Sequence, residues 1–76
     1  MTNQEWQRRS AVRILREVAK AGRIRVRALK QRTHYNRGPD EDSIAYWSEA
    51  LWDLERQKLI ALELDADGWP VLAKAV

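Results

Sequence analysis

The sequence predicts an α+β fold of three helices with a short strand and a C-terminal two-stranded β-hairpin, and three stretches carry that expectation. Residues 39–60 repeat apolar side chains at helical spacing. Residues 23–27 alternate charged and apolar side chains at the period of a strand, and an Asp-Gly step near the C-terminus separates two apolar runs. The 76 residues are expected to make one domain over 1–76. A chain this short hides only about 60% of its unfolded surface, so its core must be compact. It has no cysteine, which excludes disulfides and thiolate metal sites, and with 45% hydrophobic residues its stability must come from packing.

The first helix is expected over residues 3–21. Thr2-Asn3-Gln4-Glu5 has the form of a capping box, with Met1 and Trp6 at the two ends of a hydrophobic staple. Ala11, Ile14, Leu15 and Val18 form its apolar stripe, and Gly22 is placed to end it in a left-handed conformation. Residues 23–27 then read as one brief edge strand with Ile24 and Val26 on its buried side. Ala28-Leu29-Lys30-Gln31-Arg32 reads as a short second helix without an obvious N-cap, and residues 33–38 as a polar connector.

The third helix has the best-marked start. Pro39 suits a first helical position, where its missing N–H would be unpaired in any case, and Asp40, Glu41 and Asp42 put negative charge beside the positive end of the helix dipole. Ile44, Trp47, Leu51 and Leu54 fall on one stripe with Ala50 at its margin. Trp52 lies about 140 degrees from Trp47, among Ala45, Glu49 and Arg56, and is expected to be exposed. Residues 60–64 then lead through the turn Asp65-Ala66-Asp67-Gly68 into a return strand. Pro70 confines that strand to an edge or to a position that needs no donor.

Charge divides the chain in two. Residues 1–38 hold eleven cations against Glu5 and Glu17, a balance of +9, while residues 39–76 hold three cations against nine acids, a balance of −6. Arg9, Arg13, Arg16 and Lys20 line one band of the first helix opposite its apolar stripe. Such a band is either a solvated face or an anion-binding face. No apolar run approaches the roughly 20 residues of a membrane span, and the first residues are polar where a signal peptide is apolar. A cytoplasmic protein is expected.

Gly22-Arg23-Ile24-Arg25-Val26 leading into Leu29, followed by Leu51, Leu54-Glu55-Arg56-Gln57-Lys58-Leu59-Ile60 closing into a hairpin, resembles the winged helix-turn-helix family over nearly the whole chain. More distantly it resembles the winged-helix modules of phage and mobile-element replication proteins, in which a long connector also separates helices 2 and 3. The resemblance implies a DNA-binding regulator of transcription or replication. In it the third helix enters the major groove, the wing touches the neighbouring backbone and the second helix braces on phosphates.

The groove positions that match the family would be Asp42, Ala45, Tyr46, Glu49 and Asp53, and the hairpin tip carries Asp65 and Asp67. Carboxylates there oppose the phosphate attraction that usually dominates affinity. Nucleic-acid contact is therefore expected chiefly from the basic half: Arg25, Arg27, Lys30, Arg32 and Arg37, with Gln31, Tyr35 and Asn36 as neutral hydrogen-bonding groups and Tyr46 on the third helix. Duplex DNA is the favoured partner, and RNA stays open because a basic surface reads phosphate on either polymer.

The alternative is a protein-interaction module that uses Trp52 with Glu49 and Asp53, or a homodimer or head-to-tail chain in which the basic half of one copy meets the acidic half of another. An enzyme is not expected, since the single histidine, His34, stands in a polar connector without convergent catalytic groups. No cofactor and no metal site are expected. The acids at 40–42 lack the glycine turn of a calcium loop, and the three glycines stand too far apart for a phosphate loop.

Overall fold

The computed structural model describes residues 3–34 and 41–76, with the side chains of residue 3 and of residues 41–44 outside the description. The elements run α1 (Asn3–Ala21), β1 (Arg23–Arg25), α2 (Val26–Thr33), α3 (Glu41–Arg56), β2 (Ile60–Leu64) and β3 (Pro70–Ala75). The expected capping box at Thr2, the staple residue Met1 and the helix-start residues Pro39 and Asp40 lie outside the described residues, as do the side chains of Glu41, Asp42 and Ile44.

α1 matches its expected span because its stripe finds a partner: Ile14 and Val18 are fully buried, with Ala11 and Leu15 packed beside them. The helix lies mainly against α3, which contributes Trp47, Ala50, Leu51 and Leu54 to the same core. Ile24, Leu29, Ile60 and Ala73 complete it, so every element supplies at least one buried apolar residue. Each valine, leucine or isoleucine among them contributes about 1.5–3 kcal/mol when fully buried.

α2 is longer than the sequence suggested, at both ends. An eight-residue helix is marginal by itself, so tertiary contacts set its limits. Val26 packs against the core as a helical residue, which ends the strand at Arg25 instead of Arg27. Thr33, expected in the polar connector, is the last helical residue and is buried. Its hydroxyl donates to the Leu29 carbonyl at 2.7 Å and accepts the indole N–H of Trp47 at 2.8 Å. That second bond fastens α2 to α3 while satisfying the buried indole donor.

The hairpin is not a separate ribbon. β1 pairs antiparallel with β3 (Arg23↔Lys74, Ile24↔Ala73, Arg25↔Leu72), β2 pairs antiparallel with the other side of β3, and the three form one sheet in the order β1-β3-β2. The return strand is thus central where an edge was one of two expectations. Pro70 is tolerated because it opens β3 ahead of the three residues that β1 reaches. A bulge between Glu63 and Leu64 leaves Val71 as the extra residue on β3.

Two helix ends use left-handed residues. Gly22 (φ 76) closes α1, its N–H donating to the Val18 carbonyl at 2.8 Å, as the sequence suggested. At the end of α3 the same role falls to Lys58 (φ 61). Its N–H donates to the Glu55 carbonyl and the Leu59 N–H to the Leu54 carbonyl, both at 3.0 Å, the paired bonds of a Schellman motif.

Candidate nucleic-acid interface

Ile24, Ala73 and Leu62 stand in register across the three strands and face the core. Because side chains alternate along a strand, the flanking rows Arg23, Lys74, Ala61 and Arg25, Leu72, Glu63 face the other way. The outer sheet face therefore carries Arg23, Arg25 and Lys74 together with Glu63. The chain passes from Arg25, which stands in extended conformation at the α2 N-cap (φ −65, ψ 137), directly into the helix.

On α2 the buried side is set by Leu29 and Thr33, which places Arg27 and Gln31 near the centre of the outward side and Lys30 and Arg32 on opposite flanks. Arg25, Arg27, Gln31 and Arg32 are exposed and Lys30 is half-buried. Among the described residues no carboxylate stands within ion-pair distance of Arg25, Arg27 or Lys30. Arg32 leans back to Glu17 of α1 at 3.8 Å, an exposed pair worth well under about 1 kcal/mol, so its charge remains available. Asn36 and Arg37, also expected here, lie outside the described residues, as does Tyr35.

Tyr46 is half-buried on the flank of α3, and no described contact joins it to the α2 cations. Of the α1 band, Arg9, Arg16 and Lys20 are exposed and Arg13 is half-buried.

The outer face of α3 differs from its expected form in two ways. Trp52 is half-buried, not exposed, because a ring this large reaches neighbouring surface even from a position well off the core stripe. Glu49 and Asp53 do not stand as bare acids either. The Arg56 guanidinium lies 3.2 Å from Asp53 and 3.9 Å from Glu49, and the Gln57 amide donates to Asp53 at 3.4 Å. Arg56, one turn beyond Asp53 and two beyond Glu49, thus offsets part of the acidity that the sequence assigned to this face.

Three residues escaped sequence reading. Arg23 and Lys74 join the outer sheet face through a pairing between residues about fifty positions apart, which no local period encodes. Trp69 stands at the base of the hairpin turn and is 69% exposed. Its position just after Gly68, ahead of the paired part of β3, was the available signal.

Among the described residues no cluster of His, Cys, Asp or Glu is arranged to hold a metal ion, and no helix is long and apolar enough to cross a membrane. Comparison with protein-family models, curated proteins and solved structures gives no significant match.

Proposed function

We propose that this protein is a nucleic-acid-binding regulatory module of the winged helix-turn-helix type, and that it holds duplex DNA through phosphate contacts from β1 and α2. The observation that carries the reading is the group Arg25, Arg27 and Lys30 on β1 and α2, none of which has a carboxylate within ion-pair distance among the described residues, while Gln31 supplies a neutral hydrogen-bonding group beside Arg27 on the outward side of α2. The order of elements and the β1-β3-β2 sheet support the winged-helix part of the reading.

α3 is not the main contact in this scheme. Among the described side chains its outer face holds two carboxylates, Glu49 and Asp53, against Arg56, which leaves no positive surplus to draw a phosphate backbone. Contact from β1 and α2 alone is largely indifferent to base sequence, because phosphate contacts position a protein without reading bases.

The test is fluorescence anisotropy of labelled duplex DNA titrated at several salt concentrations. Three phosphate contacts give a slope of log K against log salt of about −2.7, and about −4.5 if Arg32 and Arg37 join them. Replacing both Arg27 and Lys30 by glutamate is expected to abolish binding while leaving the circular-dichroism spectrum intact. Binding unchanged by that exchange, or absent even at low salt, would remove this surface from the reading.

A further inference from the structure

The hairpin tip is an ordered platform for one exposed aromatic ring. The Asp65 N–H donates to the Trp69 carbonyl at 2.8 Å and the Gly68 N–H to the Asp65 carbonyl at 3.1 Å, while the Asp65 carboxylate accepts both the Asp67 and Trp69 N–H groups at 2.9 Å. Gly68 takes the left-handed conformation (φ 86) that such a turn requires. None of these bonds uses the indole ring, which is 69% exposed, with Leu64 and Val71 half exposed close to it in sequence and register. The tip also holds Asp65 and Asp67, and no cation occurs between Leu64 and Ala73.

A surface of opposite character lies on the N-terminal half of α1. Val12 is 51% exposed and lines an open depression of about 350 Å³ together with Arg8, Arg9 and Arg13. That volume is at the lower end of ligand pockets, which begin at roughly 300 Å³. A largely apolar contact formed by Val12 and the stems of arginines, whose charged ends lie at the same surface, suits an aromatic ring that carries acids beside it. The valine meets the ring, arginines attract its face, and the carboxylates meet the remaining positive charge.

We infer that the hairpin tip of one molecule docks into this depression on α1 of a second copy of the chain, with Trp69 as the anchor and Asp65 and Asp67 facing Arg8 and Arg9. Charge complementarity names the occupant, because the chain carries both the acidic aromatic tip and the basic apolar depression. The two surfaces lie on different elements, so each contact joins unlike patches: it propagates as an open chain or a ring, or closes as a two-fold dimer in which each tip reaches the other copy's depression. The pre-ordered turn keeps the entropy cost of docking low. The contact is small, below the roughly 1,200 Å² of stable interfaces, so the association is weak and reversible. It uses neither the β1 nor the α2 cations and stands or falls independently of nucleic-acid binding.

The experiment is sedimentation equilibrium of the full chain at low salt, between roughly 10 μM and 1 mM, where weak contacts populate. Wild-type protein is expected to associate in proportion to concentration, and less as salt rises. Trp69→Ala spoils the tip and Val12→Glu spoils the depression; each alone should lose association by roughly 30-fold or more, the size of a hot-spot truncation. An equimolar mixture of the two variants retains one intact tip and one intact depression, and should form a 1:1 dimer and nothing larger. Recovery in the mixture also shows that both variants are folded. A wild-type protein that stays monomeric over the whole range overturns the inference. So does association that survives either substitution, or a mixture that fails to recover.

Discussion

In the first half of the chain Arg25, Arg27 and Lys30 have no carboxylate within ion-pair distance among the described residues, whereas in the second half Glu49 and Asp53 of α3 and Glu63 of β2 each stand beside a base. Glu49 and Asp53 share Arg56, and Glu63 accepts from Lys74 at 2.7 Å. The near-opposite charges of the two halves are therefore not mirror images in space. Acids paired within their own element or sheet contribute little to the field a few ångströms outward, while unpaired cations keep theirs. At the hairpin tip, by contrast, Asp65 and Asp67 are exposed and in no ion pair among the described residues.

The sharpest way to break the contrast is to separate the halves. They meet in the core at a polar link, the Trp47 indole donating to the Thr33 hydroxyl at 2.8 Å. Trp47→Ala is expected to cost about 3–5 kcal/mol in urea unfolding, through lost burial and an unfilled cavity. That is a large share of the roughly 5–15 kcal/mol by which domains are stable. Thr33→Val keeps the volume but strands the buried indole donor, and should cost about 1–3 kcal/mol. Combining Thr33→Val with Trp47→Phe should cost less than the two single changes added together, because the second removes the stranded donor. Strict additivity would show that the link adds no stability of its own.

What the sequence made legible follows the range of the forces involved. α1 and the core stripe of α3 could be read because one periodic pattern defines each, and Ile14, Val18, Trp47, Leu51 and Leu54 are buried as that pattern requires. The glycine turns at Gly22 and Gly68 could be read because only local backbone geometry is involved. The limits of α2 could not, since they depend on Val26 and Thr33 finding partners elsewhere in the chain. Nor could the pairing of β1 with β3, a contact between distant segments. For the candidate site, the residue types on β1 and α2 were legible, but the pairing that quiets Glu49 and Asp53 and the half-burial of Trp52 were not. Angular position on a helix wheel does not report what a long side chain reaches.

The two long helices offer a finer comparison, since α1 ends on Gly22 and α3 on Lys58, both with positive φ. A side chain in the left-handed region costs roughly 1–2 kcal/mol that glycine avoids. Glycine gives back part of this through the greater freedom of its unfolded chain, about 0.4–1 kcal/mol. Lys58→Gly should therefore stabilise the protein by about 0.5–1 kcal/mol, while Gly22→Ala should destabilise it by a similar or larger amount. A Cβ at Gly22 meets nothing within 4 Å, so backbone strain alone would account for that loss. If Lys58→Gly has no effect, relief of that strain is no larger than the added freedom of the unfolded chain.

The smallest effect concerns how the second half pairs its acids. The Lys74 ammonium, by its hydrogen bond first and its charge second, holds the Glu63 carboxyl below its ordinary value of 4.5, with Arg23 adding a weaker pull and desolvation opposing them. A carboxyl whose folded value is depressed stabilises the fold fully above its unfolded value and loses that contribution as pH falls through the lower folded value. In Lys74→Met the charge partner is gone and most of the aliphatic stem remains. The stability difference between wild type and variant should then be constant near neutral pH and should close as the solution is acidified below about 4.5. Glu63 and Lys74 are both substantially exposed, at 51% and 39% of their side-chain surface, so solvent screening keeps the difference small, and raised salt should shrink it further. A difference that persists unchanged into acid would assign the role of Lys74 to the packing of its stem against the outer sheet face, and Glu63 would then count with the acids that have no effective charge partner.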